Sequence, residues 1–145
     1  MRAYLFGLFS LILFLSGCGV NEDVEKSSPI IEQFHNHFST RSYDTIYDEL
    51  LHPAWRIKQK KAGFAETMEK FRNLTGHYIS GSRAGYKLHS SSSSGTTLIV
   101  TFNAEFSNGE VVETFTLQKR GEQYKLHGYK FTALGPLKSP KTDSA

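Results

Sequence analysis

The stretch that decides the fold is residues 97–119, TLIVTFNAEFSNGEVVETFTLQK. Apolar and polar side chains alternate through both of its halves, and this period of two is typical of a β-strand with one buried face. Asn108-Gly109 separates the halves, and an Asn-Gly pair favours the tight turn of a hairpin. The stretch therefore predicts two antiparallel strands, and their buried face is expected to carry Leu98, Val100, Phe102, Ala104, Phe106, Val111, Phe115 and Leu117.

Two weaker alternating segments flank this hairpin. Residues 78–88 precede it, separated from it by the polar loop 90–95, and residues 124–131 follow it after a short turn. Gly128 lies inside the last segment, where a glycine indicates a bulge or a close approach of two backbones. The sequence therefore predicts a meander of about four antiparallel strands.

Before residue 77 the apolar residues recur at a period of about 3.6, which is typical of amphipathic helices. A first helix is expected to begin at Ser28-Pro29, a hydroxyl N-cap followed by proline at the first helical position. A second is expected to end before Pro53, and a third at Gly76. The predicted buried faces are Ile30, Ile31, Phe34 and Phe38; then Tyr43, Ile46, Tyr47, Leu50 and Leu51; then Phe64, Thr67, Met68, Phe71 and Leu74.

Helices followed by strands indicate an α+β fold. We expect three N-terminal helices packed on a curved antiparallel sheet, with residues 54–61 as a connector whose structure the pattern does not assign. In the predicted core, aromatic residues of the sheet meet aromatic residues of the helices: Phe102, Phe106, Phe115 and Tyr124 against Phe34, Tyr47 and Phe71.

The N-terminus has the features of a bacterial secretory leader. Arg2 precedes the uncharged block 3–15, which is shorter than the roughly 20 apolar residues that a membrane-spanning helix needs. The block ends in Leu15-Ser16-Gly17-Cys18, which resembles a lipobox. That resemblance implies cleavage between Gly17 and Cys18 and acylation of Cys18, so that membrane lipid holds the protein.

The lipobox also implies a location and a division of the chain. In enterobacterial lipoproteins an Asp after the acylated cysteine implies retention in the inner membrane, and this chain has Gly19 there. We therefore expect the outer membrane, facing the periplasm, or the outer face of the cell membrane in a host with one membrane. The expected division is signal peptide 1–17, acylated cysteine and flexible tether 18–28, α+β domain 29–134 and disordered tail 135–145.

Composition excludes several kinds of site. Cys18 is the only cysteine, which excludes an internal disulfide, a thiol nucleophile and a cysteine zinc site in the domain. The net charge of +3 is modest, and no nucleic-acid partner is expected. The six histidines are scattered, and His35 and His37 diverge on a helix, so no metal site is predicted. Neither a serine-nucleophile elbow nor a phosphate-binding glycine loop occurs, and no cofactor is predicted.

Three stretches carry a resemblance to a bacterial domain of unknown function in the nuclear-transport-factor-two-like superfamily: residues 38–43 (FSTRSY), 71–76 (FRNLTG) and 113–129. The last strand of such domains commonly has tryptophan where this chain has Tyr124. The resemblance implies a cone, in which helices pack in the concave side of a strongly bent sheet. Isomerases, dehydratases, pocketed binders and envelope-complex subunits share this fold, so the fold alone does not assign a function.

Ketosteroid isomerase belongs to that superfamily and defines what an enzyme would need: a carboxylate base beside a tyrosine and a protonated acid. The candidate residues in this chain are Tyr43, Asp44, Tyr47, Asp48, Glu105 and Glu113. Glu113 is the least ordinary of them, because its parity places it on the buried face of its strand, where it must be paired or protonated. Glu113, Tyr47 and Tyr43 therefore form a candidate pocket, but no catalytic set is predicted.

A cationic run lies beside the single tryptophan of the chain. We expect its members to be either a solvated face, with the tryptophan in the core, or a contact patch for an anionic surface or an acidic protein. The members are Trp55, Arg56, Lys58, Lys60 and Lys61.

These observations favour a lipid-anchored envelope domain that acts as a non-catalytic interaction or accessory module. One alternative is a small-molecule-binding protein or weak enzyme that uses the cavity of the cone. Another is a subunit of an envelope complex. Ligand, partner, pathway and oligomeric state are not predicted.

Overall fold

The computed structural model describes residues 19–139 and shows an α+β fold. The predicted signal peptide, the cleavage site between Gly17 and Cys18, and the acylated Cys18 itself lie outside the described residues. The helical elements are α1 (Gly19–Ser39), α2 (Tyr43–Thr45) continuing as a π-helical turn (Ile46–Leu50), α3 (Pro53–Lys58) and α4 (Lys61–Thr75). None of the helices in this part of the chain is both long and apolar enough to cross a membrane.

The sheet is the predicted meander. Its strands are β1 (Tyr78–Ser91), β2 (Gly95–Phe106), β3 (Gly109–Arg120) and β4 (Gln123–Ala133), hydrogen-bonded in the order β1-β2-β3-β4 with every neighbouring pair antiparallel. On β2 and β3 the alternation of burial follows the sequence, so the two central strands present their apolar face to the helices. The predicted α+β class, with helices followed by a curved four-stranded sheet, is confirmed.

The expected flexible tether is wrong for residues 19–28, because α1 already begins at Gly19. Val24 is only 3% exposed and Ser27 1%, so the apolar stripe of α1 starts before Pro29. The Ser27 hydroxyl donates a hydrogen bond to the Val24 carbonyl at 2.6 Å, and Asp23 lies 3.5 Å from Lys119 on β3. Ser28-Pro29 is therefore not a helix start. Proline is tolerated inside this helix because the preceding turn is held by the domain.

The connector 54–61 contains a short helix, α3, which begins at Pro53. The Nδ1 atom of His52 accepts a hydrogen bond from the Ala54 amide at 3.1 Å, so His52 caps the helix that follows it. The main chain of His52 also donates to the Leu126 carbonyl at 2.7 Å, which ties the start of α3 to β4. A proline that ends one helix can thus open the next.

The buried face of α4 differs in part from the prediction. Phe64, Met68 and Phe71 are buried as expected, but Leu74 is 55% exposed and Thr67 is exposed. Thr75, which is fully buried, takes the place of Leu74, and its hydroxyl donates to the Phe71 carbonyl at 3.0 Å. The hydrogen bond to the preceding turn satisfies a threonine on a helical face that otherwise carries apolar residues.

The turn between β2 and β3 caps the C-terminal end of α4. Gly76 has φ +78°, and a Cβ atom there would lie 1.8 Å from the Oγ atom of Ser107, so only glycine fits. The Asn108 amide donates to the Thr75 carbonyl at 2.9 Å, and its side chain donates to the Leu74 carbonyl at 3.0 Å. The predicted Asn-Gly hairpin turn therefore also donates hydrogen bonds to carbonyl groups at the end of α4 that have no partner within the helix.

The predicted disordered tail 135–145 is wrong for its first residues. The Lys138 amide donates to the Asn108 carbonyl at 2.7 Å, and Leu137 is partly buried, with its Cδ2 atom against Gly109. A leucine directly after a proline can add a small apolar contact at the end of the sheet, which the polar composition of the tail obscured. Residues 140–145 lie outside the described part of the chain.

Aromatic side chains fill the space between helices and sheet, largely as predicted. Phe34 packs edge-on against Phe115 with ring centroids 5.3 Å apart, and Phe71 lies 5.6 Å from Phe106. Tyr47 contacts Phe64 rather than a residue of the sheet. These rings belong to one hydrophobic core between the helices and the sheet.

Candidate functional site

Glu113 on β3 is fully buried, on the face that its parity predicted. Both of its carboxylate oxygens have a polar partner. Oε1 accepts a hydrogen bond from the Tyr129 hydroxyl at 2.7 Å, and Oε2 lies 2.8 Å from the Nε2 atom of His35. Because an unpaired carboxylate would be costly at this depth, these two contacts are what allow Glu113 to point inward. We call the set His35, Glu113 and Tyr129 the buried polar triad.

The imidazole of His35 is held on both of its sides. Its ring stacks on Tyr78 with centroids 3.8 Å apart and planes 7° apart, and it meets Phe115 edge-on at 5.6 Å. His35 is 4% exposed. The sequence analysis treated this histidine as one of a scattered set. Its position four residues after Ile31 and three before Phe38 was the signal that it shares the buried face of α1.

Tyr129 points inward because β4 contains a bulge. Thr116 pairs with Gly128 while Leu117 pairs with Leu126, so His127 is the extra residue, and the bulge predicted at Gly128 is confirmed. After the bulge the side chains of β4 point to the opposite faces of the sheet from those that simple alternation would give. This change brings the Tyr129 hydroxyl to Glu113. Burial, and then the charge of Glu113, raise the pKa of Tyr129 well above its ordinary value, which keeps the hydroxyl protonated as the donor.

The candidate pocket of Glu113, Tyr47 and Tyr43 is not brought together. Tyr43 donates to the Glu69 carboxylate at 2.6 Å, and burial, with this hydrogen bond, raises the pKa of Tyr43 to about 12. The Tyr47 hydroxyl lies 3.1 Å from the Arg56 carbonyl and 2.9 Å from that of Gln59. The two tyrosines therefore brace helical segments instead of facing Glu113.

The other candidate carboxylates lie at the surface. Asp48 is paired with Lys61 at 2.5 Å, and Glu105 is exposed on the side of the sheet that faces away from the helices. Asp44 is exposed on α2. None of the three lies in the buried polar triad, and Glu113, which does, has no exposed surface through which a substrate could reach it.

A cleft of about 390 Å³ lies between α1 and the start of β4, away from Glu113. The Tyr124 hydroxyl at this cleft is buried, and the Asp23 side chain lies beside it. Burial, and then the neighbouring Asp23, raise the pKa of Tyr124. The cleft is lined by Lys26, Ile30, Gln33, Glu49, Leu50 and residues 122–125.

Some residues of the predicted contact patch are held by contacts within the domain, and others are exposed. Trp55 is half-buried against Phe64, and its indole N–H donates to the side-chain oxygen of Gln59 at 3.1 Å. Lys61 is engaged by Asp48, whereas Lys58 and Lys60 are exposed and make no ion pair with any described residue.

The patch contains one residue that the sequence analysis missed. Ile57 is 84% exposed, the largest exposure recorded for a large apolar side chain in this structure. Its place within the cationic run, between Arg56 and Lys58, was the available signal. The guanidinium group of Arg56 donates a hydrogen bond to the Asp48 carbonyl at 3.4 Å.

Histidine pairs do not assemble into a larger cluster. His52 and His127 approach with ring centroids 5.4 Å apart, and burial, followed by the charge of His127, lowers the pKa of His52. Within residues 19–139 there is no group of three or more His, Cys, Asp or Glu side chains that could hold a metal ion.

Comparison with known proteins finds two solved structures that this chain resembles weakly. No protein-family model matches the sequence, and no curated protein matches it. A SEC-C motif-containing protein from Rhodopseudomonas palustris has a similar structure, with 12% identity and a TM-score of 0.49 over 72% of this chain and 79% of that chain. A protein provisionally named scytalone dehydratase, from Novosphingobium aromaticivorans, has 9% identity and a TM-score of 0.45 over 85% and 95%.

At such identities neither neighbour transfers a substrate or an activity to this chain. The buried polar triad and the exposed part of α3 are therefore interpreted from their own geometry.

Proposed function

We propose that this protein is a lipid-anchored envelope domain that acts as a non-catalytic interaction module. The observation that carries the proposal is that α1 already includes Gly19, the residue that follows the lipobox cysteine in the sequence. With Cys18 acylated, the folded domain would begin at the bilayer surface with no flexible spacer. Two or more acyl chains suffice for stable attachment, since each buried methylene contributes about 0.8 kcal/mol.

The state of Glu113 supports the non-catalytic part of the proposal. Its two oxygens are engaged by His35 and Tyr129, and its side chain has no exposed surface. A general base must come within hydrogen-bond reach of the proton that it removes. In this arrangement the carboxylate joins α1, β3 and β4 and has no face open to a substrate, which fits a structural role.

Gly19 after the cysteine supports an outer-membrane site in a host with two membranes, with the domain in the periplasm. In a host with one membrane the same anchor would place the domain on the outer face of the cell. The expected partners are membrane lipid, through Cys18, and a further envelope component.

The test is labelling with an alkyne-bearing fatty acid in cells, followed by membrane fractionation. The wild type should take up the label and leave the membrane fraction only in detergent. Cys18→Ala should take up none. Ser16→Ala is the matched control, because a small residue is kept at that lipobox position and labelling should persist. An unlabelled wild type, or a labelled Cys18→Ala protein, would contradict the anchor.

A further inference from the structure

We propose that Arg56, Ile57, Lys58 and Lys60, which we call the α3 surface, dock on anionic lipid headgroups of the membrane that carries the anchor. The proposal rests on the acylation of Cys18 proposed above and goes beyond it, because it fixes how the anchored domain is oriented. An acyl chain alone would leave the domain free to rotate about its point of attachment.

The chemistry of the α3 surface suits a bilayer interface. Ile57 is 84% exposed, while Lys58 and Lys60 on either side of Gln59 are exposed as well. An aliphatic side chain among lysines can enter the headgroup region while the ammonium groups stay at the phosphates. Ile57 is exposed to water on a helix that has no buried residue. This side chain therefore has no evident role in stabilising the fold.

The charges of the α3 surface are not compensated. Lys58 and Lys60 form no ion pair in the described part of the chain, although Lys61 beside them is paired with Asp48. Further positive charge lies nearby. The guanidinium groups of Arg120 and Arg56 both act on His52 at the start of α3. An anionic surface would meet this side of the domain without having to displace a carboxylate.

The α3 surface and the described start of α1 lie toward the same end of the sheet. The turn between β3 and β4 is close to both. Lys119 and Glu122 at this turn lie 3.5 Å from Asp23 and 3.8 Å from Lys26 near the start of α1. Four residues after Glu122, Leu126 forms a bridge to Leu51 and accepts the His52 amide, from which α3 starts.

A lipid surface fits better than a protein partner because the apolar area is small. α3 has six residues and presents one exposed large apolar side chain, Ile57. A specific protein interface covers about 800 Å² on each partner and has an apolar centre. Anionic headgroups need no complementary shape, and each nearby cation strengthens the association about fivefold.

The test uses Trp55, the only tryptophan of the chain, in the acylated full-length protein reconstituted into vesicles. Phosphatidylcholine brominated in the upper acyl chain quenches indole fluorescence at short range. Quenching should be strong in vesicles that also contain phosphatidylglycerol. It should be weak in phosphatidylcholine alone, and it should fall at high salt because screening shortens the range of the charges.

Matched variants separate docking from anchoring. Lys58→Glu with Lys60→Glu should lower the ratio of docked to undocked protein by at least about twentyfold in anionic vesicles. Lys130→Glu, exposed on β4, should leave it unchanged. Ile57→Ser should weaken docking, while Leu134→Ser, at another exposed apolar side chain, should not.

Co-flotation with the vesicles reports the anchor independently and should persist in all of these variants. If the wild type does not float, the anchor is refuted and the docking proposal falls with it. If it floats, but Trp55 is quenched equally with and without phosphatidylglycerol, the docking proposal alone is overturned. It is also overturned if the double charge reversal leaves quenching intact while abolishing co-purification of an envelope protein, because the α3 surface would then bind protein.

Discussion

The Nε2 atom of His35 lies 2.8 Å from the Oε2 atom of Glu113, across a separation of 78 residues in the chain. This contact joins the C-terminal part of α1 to the middle of β3, and the Tyr129 hydroxyl joins β4 to the same carboxylate. Polar groups inside a protein are costly when they lose a partner, so the buried polar triad specifies how α1 sits on the sheet.

Replacing Glu113 should therefore destabilise the protein strongly. Glu113→Ala removes the partner of two buried polar side chains and should lower the free energy of unfolding by about 3–5 kcal/mol. Glu113→Gln keeps the shape and an acceptor for Tyr129, and should cost about 1–2 kcal/mol. Urea denaturation followed by circular dichroism measures both. Glu105→Ala, at an exposed position of β2, is the control and should change stability by less than about 0.5 kcal/mol. Equal losses for Glu113→Ala and Glu105→Ala would contradict the role of the triad.

The hydroxyl of Tyr129 can be tested without changing the packing. Tyr129→Phe leaves Oε1 of Glu113 without its donor and should cost about 1–3 kcal/mol in the free energy of unfolding. Tyr78→Phe is a close control, because Tyr78 stacks on His35 through its ring. The stack survives that substitution, and a loss below about 0.5 kcal/mol is expected. The prediction is wrong if the two variants are equally stable.

The sequence could place Glu113 but not its partners. Side chains alternate along a strand, so parity with Val111, Phe115 and Leu117 was enough to turn Glu113 inward. Parity could not predict that Tyr129 points inward. The bulge at Gly128 changes which side chains of β4 face the helices after it. His35 is a long-range partner, and only the packing of α1 on the sheet brings it to Glu113.

The start of α1 offers a second test of how the fold begins. Val24→Ala removes a side chain that is 3% exposed and should lower the free energy of unfolding by about 1–3 kcal/mol. Glu25→Ala, exposed on the next position, should have an effect below about 0.5 kcal/mol. Chemical denaturation measures both. If Val24→Ala is as stable as the wild type, residues 19–28 act as a tether after all.

The boundary of α1 was missed because two strong local signals pointed elsewhere. Ser28-Pro29 has the chemistry of a helix start, and residues 19–28 are mostly polar. Tertiary contacts support the helix in these residues. Val24 and Ser27 are buried in the domain, and Asp23 forms an ion pair with Lys119. Local propensity predicted the four strands and the longer helices, but it left α3 unassigned and could not report contacts made at a distance.

His52 should make stability depend on pH. Its pKa is lowered in the folded protein, chiefly by burial and then by His127, and its neutral Nδ1 caps α3. As the pH falls below about 6.5, the unfolded chain takes up this proton before the folded protein does. The contribution of His52 is therefore complete above that pH and is lost as the pH falls through the lowered pKa.

Two variants isolate this dependence. His52→Asn keeps a capping side chain and does not titrate, so it should lose less stability than the wild type between about pH 7.5 and pH 5.5. His127→Asn removes a charge that lowers the pKa of His52 and should raise that pKa in an NMR titration. Identical pH profiles of unfolding for the wild type and His52→Asn would exclude His52 as the source.

We propose that a lipid on Cys18 holds the domain at the bilayer, and Gly19, the next residue, already belongs to α1. Mass spectrometry of the N-terminal peptide from native membranes tests it most directly. The account predicts a peptide that begins at Cys18 and carries the mass of a diacylglycerol, with or without a further acyl chain on its amine. A peptide that retains the leader, or one that begins at Cys18 with an unmodified thiol, would contradict it.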